Sequence, residues 1–286
     1  MSKIRIAMTI LIVIAIASPI VWQIAYRTDD DAAELKWGLK LAEQYAEAEL
    51  AIERLRKAED TDWSQIGEKY ILTKPVVRKI DDEFETDYAR ELEAAIALCV
   101  VGQSPKVNQQ TLAKGLQHVT VLAIQLDLDL LTASDDAAQR KDAAERITAF
   151  FEGIRPTFAR RDGDFFKDAP KLESSADAAI AELKKTAETG DGLAARRKLE
   201  SAIAHTYALS VLYEIQAIEK LRDSDRAACD VKLAEAEMFY RIIRPRIKDP
   251  AAGETIVALL KLDYGKMDST VLHEALAKGL PNIPLR

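Results

Sequence analysis

The sequence predicts an all-α fold: an N-terminal transmembrane helix, then a bundle or solenoid-like domain of duplicated antiparallel helical units. Three observations carry this expectation. Apolar residues recur at steps of three and four along most of the chain, and no segment shows the strict alternation of a half-buried strand. The composition is 30% charged and only 6% aromatic, rich in alanine, leucine, glutamate and lysine, all of which lose little on entering a helix. Third, one motif occurs three times, at Gln65–Val77, Ile147–Phe158 and Glu235–Ile247.

Each copy carries an aromatic residue (Tyr70, Phe151, Tyr240), a basic residue four positions later (Lys74, Arg155, Arg244) and then a proline (Pro75, Pro156, Pro245). An apolar residue stands two positions after each proline: Val77, Phe158 and Ile247. The prolines are 81 and 89 residues apart (156 − 75 and 245 − 156), a spacing that marks a copied supersecondary unit. A second segment follows each copy: Leu112–His118, Leu199–His205 and Leu276–Asn282. The chain therefore divides into a short N-terminus (1–5), an anchor (6–26), a stalk or first amphipathic helix (27–60), two complete units (61–142 and 143–231) and a partial third (232–286).

Taken in order, Ile6 to Tyr26 contains no charged residue, and about 20 apolar residues suffice to cross a bilayer as a helix. Trp22 and Tyr26 stand at its far end, where amphipathic rings prefer the membrane interface. Lys3 and Arg5 precede the run, whereas Asp29, Asp30, Asp31 and Glu34 follow it. The positive-inside rule then places the N-terminus in the cytoplasm and the rest outside, as in a single-pass protein of a bacterial-type inner membrane with a periplasmic domain. Cleavage as a signal peptide at Ala15-Ile16-Ala17 is the competing reading, but Ile20, Val21, Trp22 and Ile24 continue the apolar run beyond that point. Either way the domain is exported, so Cys99 and Cys229 could pair or stay as two small buried hydrophobes.

Trp37, Leu41, Tyr45, Ala48, Ile52 and Leu55 make an amphipathic helix, either a stalk or an element docked on the first unit. Thr61 or Asp62 caps a helix that ends at Lys74, because the residue before a proline is pushed out of the helical region. Pro75 is thus expected to join two helices, the second running through Ile80, Phe84, Leu92 and Cys99 to a stop at Gly102 and Pro105. Asn108 caps the next helix, and the loop at Ser134–Asp136 leads to the one holding Phe150, Phe151 and Ile154. Arg155-Pro156 repeats the junction, followed by a polar connection with Gly163 and Pro170, a helix over 176–186 and a Gly190-Asp191-Gly192 break. Leu193 to Leu221 is apolar nearly all round, and its C-terminal half is expected at the centre of the core. A helix through Ile256 and Leu260 and a short one ending near Gly279 complete the chain.

Candidate chemistry is sparse. His118 and His205 occupy equivalent places in the two complete units, so two pseudo-symmetric imidazoles could hold a haem iron or a metal ion; Asn282 replaces them in the third copy. Buried packing histidines give the same pattern. Asp127 and Glu214 also correspond, each nine residues past its histidine (127 − 118 and 214 − 205) and half a turn away around the helix, and are expected solvated or salt-bridged. His273-Glu274 opens like a zinc-protease helix, but Ala277 stands where the second histidine is required. Asp223 and Asp225 lack the glycine and distal glutamate of a calcium loop. Lys74, Arg155 and Arg244 are expected at helix C-termini, facing the negative end of the dipole, with a groove lined by these cations and facing an anion as the alternative. A net charge of −7 gives no reason to expect nucleic acid. The pattern predicts an accessory or scaffolding subunit of an envelope assembly, needing no cofactor, with the bilayer and other membrane or periplasmic proteins as partners. The alternative is a haem- or metal-binding protein using His118 and His205.

Overall fold

The computed structural model describes residues 36–167 and 171–285, and shows ten α-helices and no strand among them. The helices are α1 (Leu39–Leu55), α2 (Trp63–Phe84), α3 (Tyr88–Val100), α4 (Pro105–Ala133) and α5 (Ala137–Phe165), followed by α6 (Leu172–Thr186), α7 (Leu193–Leu221), α8 (Arg226–Ile243), α9 (Pro250–Leu260) and α10 (Ser269–Gly279). Short 3-10 turns stand at Arg244–Arg246 and Tyr264–Lys266. No described helix is long and apolar enough to cross a membrane. The apolar run at 6–26 lies outside the described residues.

The chain forms two compact units that divide inside α4, between Val119 and Thr120. In the first, α1 packs on α2 and α2 on α3. The amphipathic helix of 39–55 is therefore docked: its Tyr45 hydroxyl donates to the Leu116 carbonyl of α4 at 2.8 Å, and Tyr45 and Ile52 are fully buried. In the second unit α7 is the central helix, packed by α5, α6, α8 and α10. Its burial runs all round, from Leu199 through Tyr207, Val211 and Ile215 to Ile218, which explains why no polar stripe is legible in its sequence. Each such aliphatic side chain removed from water contributes about 1.5–3 kcal/mol.

The caps follow the sequence closely. Asp62 accepts from the amides of Ser64 and Gln65, and Asp136 from Ala138. The start of α4 differs: it begins at Pro105, whose fixed φ suits a first turn, and Asn108 points back to donate to the carbonyls of Gln103 and Ser104.

The larger difference concerns the prolines. Pro75 and Pro156 do not separate two helices; α2 and α5 run straight through them, and α5 continues past Gly163 to Phe165. A proline inside a helix costs about 3 kcal/mol. Burial on both sides outweighs that cost: Tyr70, Thr73, Val76 and Val77 flank Pro75, and Phe151, Ile154, Thr157 and Phe158 flank Pro156, all with under 2% of their surface exposed. Only Pro245 sits at a corner, in the 3-10 turn after α8.

Candidate functional site

The three copies of the motif open three successive helix triplets, α2–α3–α4, α5–α6–α7 and α8–α9–α10. The aromatic residue is buried in each and faces the short second helix in two. Tyr70 donates to the Ala89 carbonyl of α3 and Tyr240 to the Gly253 carbonyl of α9, both at 3.3 Å. The basic residue also reaches that second helix in two of the copies. Lys74 pairs with Glu93 at 2.8 Å, and Arg155 pairs with Glu173 and Asp177 at 2.9 Å. These two cations sit in mid-helix, so their expected place at a C-terminus is corrected; the continuous helices leave no terminus there. Arg244 alone caps its helix, α8.

A further correspondence lies six residues beyond the first two prolines (81 − 75 and 162 − 156). Asp81 accepts from the amides of Tyr88 and Ala89 at 2.7 and 2.8 Å, at the start of α3. Asp162 accepts from those of Lys171, Leu172 and Glu173 at 2.8–3.0 Å, at the start of α6. Each carboxylate satisfies orphan amides of the next helix and meets the positive end of its dipole. In the third copy the aspartate comes two residues sooner, and Asp249 caps α9 locally. The pattern Lys/Arg-Pro-x5-Asp was visible in the sequence but lies beyond the segment aligned there. Asp162→Ala and Asp81→Ala are each expected to lower stability by about 2 kcal/mol, the upper end for a lost N-cap, in urea unfolding of the full-length chain.

The leucine-rich segments occupy equivalent buried places in α4, α7 and α10, with Leu112, Leu199 and Leu276 fully buried. Their histidines differ in setting and belong to different compact units. His118 Nδ1 is hydrogen-bonded to the Tyr88 hydroxyl, with the two rings edge to face. His205 meets the edge of the Phe166 ring; burial holds its pKa below the ordinary value, against the backbone of Pro284. His273 is hydrogen-bonded to the Leu285 carbonyl at 2.7 Å. Among the described residues no three His, Cys, Asp or Glu side chains converge as a metal-binding group would. Cys99 and Cys229 are both free and buried, one in each unit, and burial pushes the Cys99 thiol up to about 12.

Asp127 and Glu214 are buried and ion-paired, each with the helix that follows its own. Asp127, fully buried, accepts from Arg146 of α5 through Nε at 3.0 Å and Nη2 at 2.7 Å. Glu214 meets Lys232 of α8 at 2.9 Å and Arg161 of α5 at 3.6 Å. Burial, then the neighbouring Glu235, pushes the Glu214 carboxyl up to about 7, against the pull of Lys232. The Arg161 guanidinium lies 4.1 Å from the centre of the Tyr213 ring. The cluster can therefore hold or release a proton near neutrality inside the second unit. Its partners Arg161, Lys232 and Glu235 could not be picked out from the sequence, since only packing brings them to Glu214.

The second unit also has a cleft of about 300 Å³ at the third Arg-Pro corner. One wall is α7, from Arg197 to Ala204; the others are Pro245–Lys248 and Leu280–Ile283. Arg246 donates to the Gln125 side chain at 3.2 Å and stands 3.7 Å from Glu200, which also holds Arg196 at 3.2 Å. Burial lowers the Arg246 pKa against the attraction of Glu200. Of its lining, the sequence pattern singles out Pro245 and Ile247 of the corner motif and Asn282, but none of the charged residues. Comparison with known proteins gives no match: no family model fits the chain, and no curated protein or solved structure is significantly similar to it.

Proposed function

We propose that this chain is a membrane-tethered helical scaffold, an accessory subunit through which an inner-membrane or envelope assembly is held together. The observation that carries the reading is the recurrent helix triplet, with the same basic and aspartate contacts to its short second helix in the first two copies and the same tyrosine contact in the first and third. Stacked helical modules bury a continuous core between neighbours and leave long helical surfaces for other proteins. The uncharged run from Ile6 to Tyr26 supports the tether, and the basic residues before it support export of the rest.

Photo-crosslinking in cells tests this reading, with the reactive residue placed at the exposed apolar positions Leu72, Leu193 and Val271. Discrete adducts of defined mass from membranes are expected from at least one position, and their loss on deleting residues 6–26. A chain that yields no adduct at any of the three and sediments as a monomer from solubilised membranes is not a scaffold. A Soret band in the purified protein would instead overturn the scaffold reading in favour of a haem-binding one.

A further inference from the structure

The cleft at the third corner carries an excess of positive charge in a chain whose net charge is −7. Three cations among the described residues line it, Arg197, Arg246 and Lys248, against a single acid, Glu200, whose carboxylate is already shared with Arg196. Among the described residues the side chains of Arg197 and Lys248 make no hydrogen bond or ion pair. Arg246 is anchored on one side by Gln125, which fixes the plane of its guanidinium and leaves the longer 3.7 Å approach to Glu200 as its sole ion pair among the described residues. Most of the remaining lining is apolar, notably Ala204, Ile247, Leu280 and Ile283, with Ser201 and Asn282 as its polar members.

A fixed guanidinium with two further cations near it suits a planar anion taken up through paired N–H donors. The apolar wall suits an aliphatic body attached to that anion, and the volume stands at the small end of ligand pockets, about 300–1,000 Å³. We propose that this cleft binds a carboxylate borne on a short branched aliphatic body, with Arg246 as the primary contact and Arg197 and Lys248 as the flanking charges. The same chemistry is offered by a free small carboxylic acid and by a polypeptide ending in leucine. Inorganic phosphate satisfies the charge but leaves the apolar wall uncovered, so it is the weaker ligand. Binding at this cleft needs no second protein, and it stands independently of the scaffold reading.

Calorimetric titration of the full-length chain in non-ionic detergent tests the proposal, using 4-methylpentanoate, a short peptide ending in leucine, its C-terminal amide and inorganic phosphate as probes. Saturable one-to-one binding is expected for the free acid or the peptide acid, weakened by added salt, with the amide and phosphate at least about tenfold weaker. Arg246→Gln is expected to weaken it about tenfold, and Lys248→Gln and Arg197→Gln less. Lys248 and Arg197 are exposed, so those two variants keep the fold even if Arg246→Gln does not. Tighter binding of the peptide acid identifies a chain end as the source, and tighter binding of 4-methylpentanoate identifies a free acid. The proposal fails if neither carboxylate saturates, if phosphate or the amide binds as well, or if none of the three variants changes the affinity.

Discussion

Asp127→Leu is expected to lower the stability of the chain by about 3–5 kcal/mol, the largest effect of any single change considered. The reason lies with the partner left behind. Arg146 is buried, with 5% of its surface exposed, and its charge is met by the two oxygens of Asp127. Leucine fills the space but strands the guanidinium in a medium that solvates it poorly. The double variant Asp127→Leu with Arg146→Met removes both charges together and is expected to recover most of the loss, because a buried pair contributes little over an apolar pair of similar volume. Urea unfolding of the two singles and the double closes the cycle. A double variant as unstable as Asp127→Leu alone overturns this account.

The contribution of Glu214 to stability is also expected to be lost as pH rises from about 4.5 to about 7, against the opposite trend of His205, whose folded pKa is lowered by burial. Its carboxyl has an ordinary value of 4.5 in the unfolded chain and is pushed up to about 7 in the folded one, by burial first and by Glu235 second. Between those limits the folded protein binds the extra proton, so the contribution is complete below 4.5, shrinks through the window and is lost above 7. The difference corresponds to roughly 3 kcal/mol. Glu214→Gln holds a neutral side chain in the same volume beside Lys232 and Arg161, and is expected to flatten this part of the pH profile and to stabilise the protein above pH 7 relative to the parent. Equal slopes for parent and variant in unfolding measured from pH 4 to pH 8 would show that another group is responsible.

The elements were largely legible because their punctuation is local. Asp62 and Asp136 cap where an aspartate before an apolar run should, and Gly190 takes the positive φ, 81°, that ends a helix segment before the break to α7. Leu193–Leu221 has the predicted limits because a glycine break precedes it and its burial runs to the end. Pro75 and Pro156 were misread for the opposite reason. The local cost of a proline is visible in the sequence, whereas the burial of Tyr70, Val77, Phe151 and Phe158 that overrides it depends on the fold. The candidate site was less legible still. Arg246 and Glu200 are 46 residues apart (246 − 200), and Arg161 and Glu214 are 53 apart (214 − 161), separations at which no periodicity links one side chain to another.

The aspartate contacts have a consequence for how such a chain can vary. The connection from α2 to α3 is three residues, 85–87, and that from α5 to α6 is six, 166–171, yet a carboxylate six residues past a proline seizes the incoming helix in both. Where the second helix begins is thus dictated by the first helix and not by the length of chain joining them. Insertions can accumulate in these connections while the partners keep their alignment, so descendants of one ancestral triplet can drift apart in length without losing their architecture.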